Sequence, residues 1–157
     1  MNTDKKIIKS KTSKLQIQKK VHDYNDDFHA WSLEQASLIK RKEFARLDIE
    51  HLVEEIEGLS ASDKRALESH LAILLAHLLK IKYQPGKHTR SWDLSIEESR
   101  YQVRKNLRRN PSLKRLLPEF YIDAYQTSRR EAAYETGIEL NVFPEKCPWT
   151  IKEVLGE

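Results

Sequence analysis

The chain has 157 residues, 33% of them charged, with four glycines, five prolines and one cysteine, enough for one domain whose core needs no disulfide or metal staple. Its net charge of +4 is unevenly spread: residues 1–22 hold seven lysines against Asp4 alone, 23–63 four basic against eleven acidic groups, 64–130 fifteen against six, and 131–157 two against six. That bipolar body excludes a uniformly basic nucleic-acid coat, the single Cys147 excludes an internal disulfide, and the longest apolar run, Leu71 to Ala76, is far too short to cross a bilayer.

At the N-terminus Ile7 and Ile8 are followed at once by Lys9, so the apolar stretch of a secretory signal is missing and a cytoplasmic location is expected. Residues 1–22, lysine-rich and nearly free of aromatics, read as a disordered basic tail, with a short helix over Lys14 to Val21 as an option. Residues 23–157 read as one helical domain. From Tyr24 the composition turns aromatic and acidic. Ser32 to Gln35 has the form of a capping box, which places a first helix over Leu33–Lys42, or from near Asp27. Asp48 is placed to cap a second helix, where Ile49, Leu52, Val53, Ile56 and Leu59 recur at helical spacing and Gly58 is expected to mark the end.

Ser60 or Ser62 then starts the longest helix, to about Tyr83, with Leu67, Leu71, Leu74, Leu75, Leu78 and Ile81 on one arc. Pro85 and Gly86 stop it. Ser91 is expected to cap a helix over Trp92–Arg109 that buries Trp92, Ile96, Val103 and Leu107, and Asn110-Pro111 to break it. A last long helix follows Pro118, uses Phe120, Tyr121 and Ala124, and closes at Gly137; Thr150 to Glu153 opens a final turn of helix. No run alternates as a strand does and no repeat is present. The expected fold is all-α, a single compact bundle of about five or six helices around the leucine-rich central one.

Several blocks occur in a telling order: Tyr24 to Ala36, the acidic Leu47 to Glu57, Leu74 to Lys80 with Gln84-Pro85, and Arg90-Ser91-Trp92. Asn110 to Leu113, Glu135-Thr136-Gly137 and Phe143 to Trp149 complete the series. Together, over roughly residues 22–156, the chain resembles the bacterial family catalogued as domain of unknown function 29. It departs from that pattern at Ile81, where the family often has tryptophan, and at His88-Thr89, where the basic turn often has Arg-Ser. The resemblance implies a compact all-helical domain and supplies no activity.

Three function classes follow from the residues. His70 and His77, seven apart on one edge of the leucine arc, with His51 and Glu55 at i, i+4 on the preceding helix, are the weak candidates for a metal-dependent enzyme. No His-Glu-x-x-His run or cysteine pair sharpens them, so no cofactor is implied and satisfied boundary histidines are the competing reading. His51 itself is expected to face solvent. Arg100, Arg104 and Arg108 at i, i+4, i+8, with the lysine tail, are the candidates for nucleic-acid contact, and Tyr101, His88 or Trp92 for stacking on bases. The alternative is a solvated helix face or a partner for the acidic helices. Glu50, Glu54 and Glu57 line one helix side, usually a solvated row. Cys147 beside Lys146 has no histidine signature around it. Isolated glycines exclude a phosphate loop.

The favoured class is a protein-interaction or self-association module using aromatic residues at helix ends, among them Trp31, Tyr83 and Trp92, with the basic turn of His88 and Arg90 beside them. A protein partner or homo-oligomer is expected, and no membrane insertion.

Overall fold

The computed structural model describes residues 22–157, and all regular structure among them is helical, in five α-helices and no strand. The lysine-rich segment expected to form a tail lies, but for His22, outside the described residues. The chain divides into two compact units, ending and beginning at Leu52 and Val53.

In the first unit, α1 (Phe28–Lys40) takes the earlier of the two expected starts, near Asp27, five residues before the one the capping-box pattern gives. Asp27 is the cap: its carboxylate accepts the Ala30 backbone N–H at 2.9 Å, satisfying one of the free donors of the first turn. Ser32 is already inside the helix, and its hydroxyl donates back to the His29 carbonyl at 2.9 Å. Trp31, Gln35 and Leu38, at i, i+4 and i+7, form the buried face. Gln35 is freed from capping and accepts the Asp48 backbone N–H at 2.9 Å. Asp48 in turn stands immediately before α2 (Ile49–Tyr83) and caps it, its carboxylate accepting the His51 backbone N–H at 3.4 Å.

α2 is one unbroken helix of 35 residues, where two were expected. Gly58 does not end it. A glycine stops a helix when the chain turns left-handed there; inside one it costs only about 1 kcal/mol relative to alanine, and Gly58 has no positive φ. At ~1.5 Å per residue the helix is about 52 Å long.

In the second unit, Leu67, Leu71, Leu74, Leu75 and Leu79 of α2 are fully buried. They pack in one core with Ile96, Val103 and Leu107 of α3 (Arg90–Arg109) and Ala124, Tyr125 and Ala132 of α4 (Leu117–Thr136). Each buried leucine contributes roughly 1.5–3 kcal/mol of transfer free energy. Thr89, not Ser91, occupies the position before α3; the Ser91 hydroxyl pairs with that of Thr89 at 2.8 Å. Leu113, on the tight turn after Asn110-Pro111, plugs the core beneath α3 and α4.

Gly137, at φ 72°, gives α4 the left-handed C-cap that the sequence predicts. The segment after it has two prolines and little regular structure, so its backbone carbonyls need outside donors. α4 provides them: Tyr125 Oη to the Pro144 carbonyl at 2.7 Å, Tyr121 Oη to that of Trp149 at 2.7 Å, and Arg129 to that of Phe143 at 3.0 Å. The short α5 (Ile151–Leu155) opens with the expected capping box of Thr150 and Glu153 and buries Val154 and Leu155.

Candidate functional site

At one end of the second unit the C-terminus of α2, the start of α3 and the end of α4 meet. Lys80 is buried there and its ammonium reaches the Glu135 carboxylate at 2.5 Å while lying 4.6 Å from the centre of the Trp92 ring. A cation taken out of water needs such compensation from an anion and an aromatic face. One turn on, the Gln84 amide donates to the Thr136 carbonyl at 3.0 Å. Tyr83 meets the Phe143 ring edge to face at 4.9 Å, and Lys82 lies 5.3 Å from the Trp149 ring centre. The blocks Leu74 to Lys80, Gln84-Pro85, Arg90 to Trp92, Glu135 to Gly137 and Phe143 to Trp149 thus converge by touching one another. Tyr83 and Trp92 belong to this scaffold, each half-buried. His88 pairs with Asp93 at 2.7 Å and Arg90 is exposed.

Cys147 lies in the segment between α4 and α5, its Sγ 2.9 Å from Tyr121 Oη. Burial pushes its thiol above the ordinary range, the opposite of an activated nucleophile. Burial also raises the Tyr121 phenol, and that of Tyr125 to about 12.

Two of the three stripe arginines are committed to the C-terminus of α5. Arg100 donates from Nε to the Val154 carbonyl at 2.9 Å and from Nη1 to Glu97 at 2.7 Å. Arg104 donates to the Leu155 carbonyl. Guanidinium groups here satisfy the free carbonyls of a helix end and meet the negative end of its dipole. Arg108 remains on the exposed side of α3.

The metal candidates do not converge: among the described residues no group of three or more histidine, cysteine or carboxylate side chains comes together. His77 Nδ1 is 2.9 Å from the Ile73 carbonyl, whereas His70 lines a shallow hollow with Asp63, Gln102 and Lys105. Glu55 is on the N-terminal part of α2.

In the first unit Trp31 is buried, and its indole donates to Asp48 at 3.1 Å. His51 does not simply face solvent. It stacks on Tyr24 at 4.1 Å and binds the same Asp48 carboxylate at 2.7 Å, which holds that carboxyl below its usual range. Phe28 completes the cluster, half-exposed beside Tyr24 and Trp31.

The surface that the periodicity alone does not reveal is on α2. Val53, Ile56 and Leu59 are 47%, 65% and 69% exposed, although Val53 and Ile56 continue the apolar face that Leu71 and Leu74 bury further along, and Leu59 lies at its edge. Glu57 stands one turn after Val53 and Glu55 one turn before Leu59, so carboxylates border both edges of the stripe. The acid density of this stretch, against the nearly neutral core stretch, was the available signal.

None of the described helices is long and apolar enough to cross a membrane. No curated protein and no solved structure matches the chain. The family described as Domain of unknown function DUF29 matches residues 24–157, taking in every block that converges around Lys80 and Glu135, and the chain belongs to that family.

Proposed function

We propose that this protein is an interaction module whose binding element is the N-terminal half of α2, and that Val53, Ile56 and Leu59 receive a basic amphipathic segment of a protein partner. The observation that carries this is the exposure of the three side chains, Val53 and Ile56 on the face that further along the same helix is core and Leu59 at its edge. Three large aliphatic groups in one row on a helix are an anchor pattern for helix-in-groove or helix-on-helix recognition. The chemistry of the partner follows from the border: Glu57, exposed one turn after Val53, favours lysine or arginine flanking the partner's apolar residues, and disfavours a second acidic α2 laid against the first. The arginine stripe supports nucleic-acid contact less, because Arg100 and Arg104 are engaged with α5. A cytoplasmic location suits this reading.

A photo-crosslinking residue at Ile56, with the exposed Tyr134 of α4 as control site, tests it in the host cell. Crosslinked peptides carrying an apolar row flanked by lysine or arginine are expected from Ile56 and not from Tyr134. Crosslinks from Ile56 to α2 of a second copy, or the same products from both sites, would contradict it.

A further inference from the structure

At the C-terminal half of α3 a cavity of about 520 Å³ opens between α3, the residues around the start of α4, and α5. Its floor is aliphatic: Leu107, Leu117, Ile151 and Leu155, the first and last of them buried. Its rim is cationic: Arg104, Arg108, Lys114 and Lys152, with Glu157 as the acidic group among the lining residues. None of these four cations has a carboxylate within ion-pair distance among the described residues, whereas Arg41, Arg46, Lys80 and Arg100 each do. Arg104 is hydrogen-bonded to neutral carbonyls at the end of α5, so no carboxylate neutralises its charge.

Other hollows of the second unit differ. One mixes Arg65 with Glu68 and Glu131, another Glu145 with Lys146. Here like charges gather over apolar surface, an arrangement whose mutual repulsion an anion would relieve and whose aliphatic floor water serves poorly. The size lies within the roughly 300–1,000 Å³ of small-molecule sites, which combine an apolar lining with a few placed polar groups.

We infer that this cavity binds an amphiphilic anion, an aliphatic chain lying on Leu107, Leu117, Ile151 and Leu155 with a carboxylate or phosphate head held by Arg108 and Lys152. Arg104, fixed by its bonds to α5, supplies a positive field at the inner wall without having to move. Arg108 and Lys152 are exposed and on different elements, so they can close on the head from two sides. This site is separate from the α2 stripe and stands or falls independently of it.

The test is calorimetric titration of the full chain with decanoate below its micelle concentration, beside decanol, which keeps the chain and lacks the charge, and butyrate, which keeps the charge and lacks the chain. Decanoate is expected to bind with one-to-one stoichiometry and more tightly than either. R108Q/K152Q is expected to weaken it roughly tenfold with the circular dichroism spectrum and melting curve unchanged, and R108K/K152R to retain it. Flotation with phosphatidylglycerol vesicles, but not phosphatidylcholine vesicles, reversed by decanoate, would assign the head group to a lipid surface. Decanoate binding without flotation would assign it to a free carboxylate; either supports the site. Decanol or butyrate binding as tightly as decanoate, no decanoate binding, or R108Q/K152Q binding it like the parent would overturn the inference.

Discussion

Val53 and Leu71 stand 18 residues apart on the unbroken α2, about five turns at 3.6 residues each, and so leave the helix in the same direction; Leu71 is fully buried and Val53 is not. Ile56 and Leu74 repeat the relationship at the same spacing. One apolar face is therefore core over one part of its length and exposed over another. Substitution should separate them. Leu71→Ala should cost about 2–5 kcal/mol, as large-to-small core changes do, while Val53→Ser should stay within about 0.5 kcal/mol of the parent, as exposed changes do. Urea unfolding followed by circular dichroism measures both.

The ion pair of Lys80 and Glu135 is asymmetric, since the Lys80 side chain is buried and that of Glu135 half-exposed. Removing the anion leaves the buried ammonium with the Trp92 ring and no counter-charge. Glu135→Gln should lower stability by about 1–3 kcal/mol. Lys80→Met should cost less, because an apolar side chain of similar length removes the desolvation penalty together with the charge. A Lys80→Met variant less stable than Glu135→Gln would contradict this assignment.

Much of this fold is legible in the sequence, for reasons that particular residues make plain. The leucine arc of α2, the break at Pro85, the left-handed Gly137 and the Thr150–Glu153 box are local signals, each complete within a turn or two. Gly58 misleads because a glycine ends a helix where the chain turns left-handed at it, as at Gly137, and composition does not say which glycine does. Ser32 competes with Asp27, five residues earlier, and local pattern alone leaves both starts open; Asp27 is the cap. The contacts of Lys80 with Glu135 and of Arg104 with Leu155 span more than fifty residues of chain, and no spacing rule reaches that far. Periodicity hides the exposed stripe for a related reason: Val53 and Leu71 have the same periodicity, and what differs is whether another element covers them.

The role of Arg104 gives a local prediction. Arg104→Ala removes the donor to the Leu155 carbonyl at the end of α5. Amide hydrogen exchange at Val154 and Leu155 should speed up by roughly tenfold, the equivalent of about 1.4 kcal/mol, while the Leu71–Leu79 amides of α2 keep the parent's protection.

Asp48 sets a pH dependence. Its carboxyl is held below the usual range above all by the hydrogen bond from the His51 ring, with a further one from Trp31. The folded form therefore binds this proton less readily than the unfolded form does. The resulting stabilisation is present above about pH 4, near the unfolded carboxyl value, and is lost as pH falls through the lower folded value. Urea midpoints of the parent and Asp48→Asn should differ at neutral pH and converge in acid. A constant difference at all pH values would contradict the coupling.

Cys147 should be a quiet thiol. Burial raises its pKa, and Tyr121 Oη lies against the sulfur. Iodoacetamide at neutral pH should label the folded protein much more slowly than the urea-unfolded chain. Equal rates would show the thiol to be open.

The central claim is that α2 presents Val53, Ile56 and Leu59 to a basic amphipathic segment. Fluorescence anisotropy of a labelled lysine–leucine amphipathic peptide, titrated with the full chain, tests it most directly. Binding that is weakened roughly tenfold or more by V53S/I56S/L59S, and absent for a matched glutamate–leucine peptide, is the predicted result; equal binding by parent and variant, or by the two peptides, would contradict it.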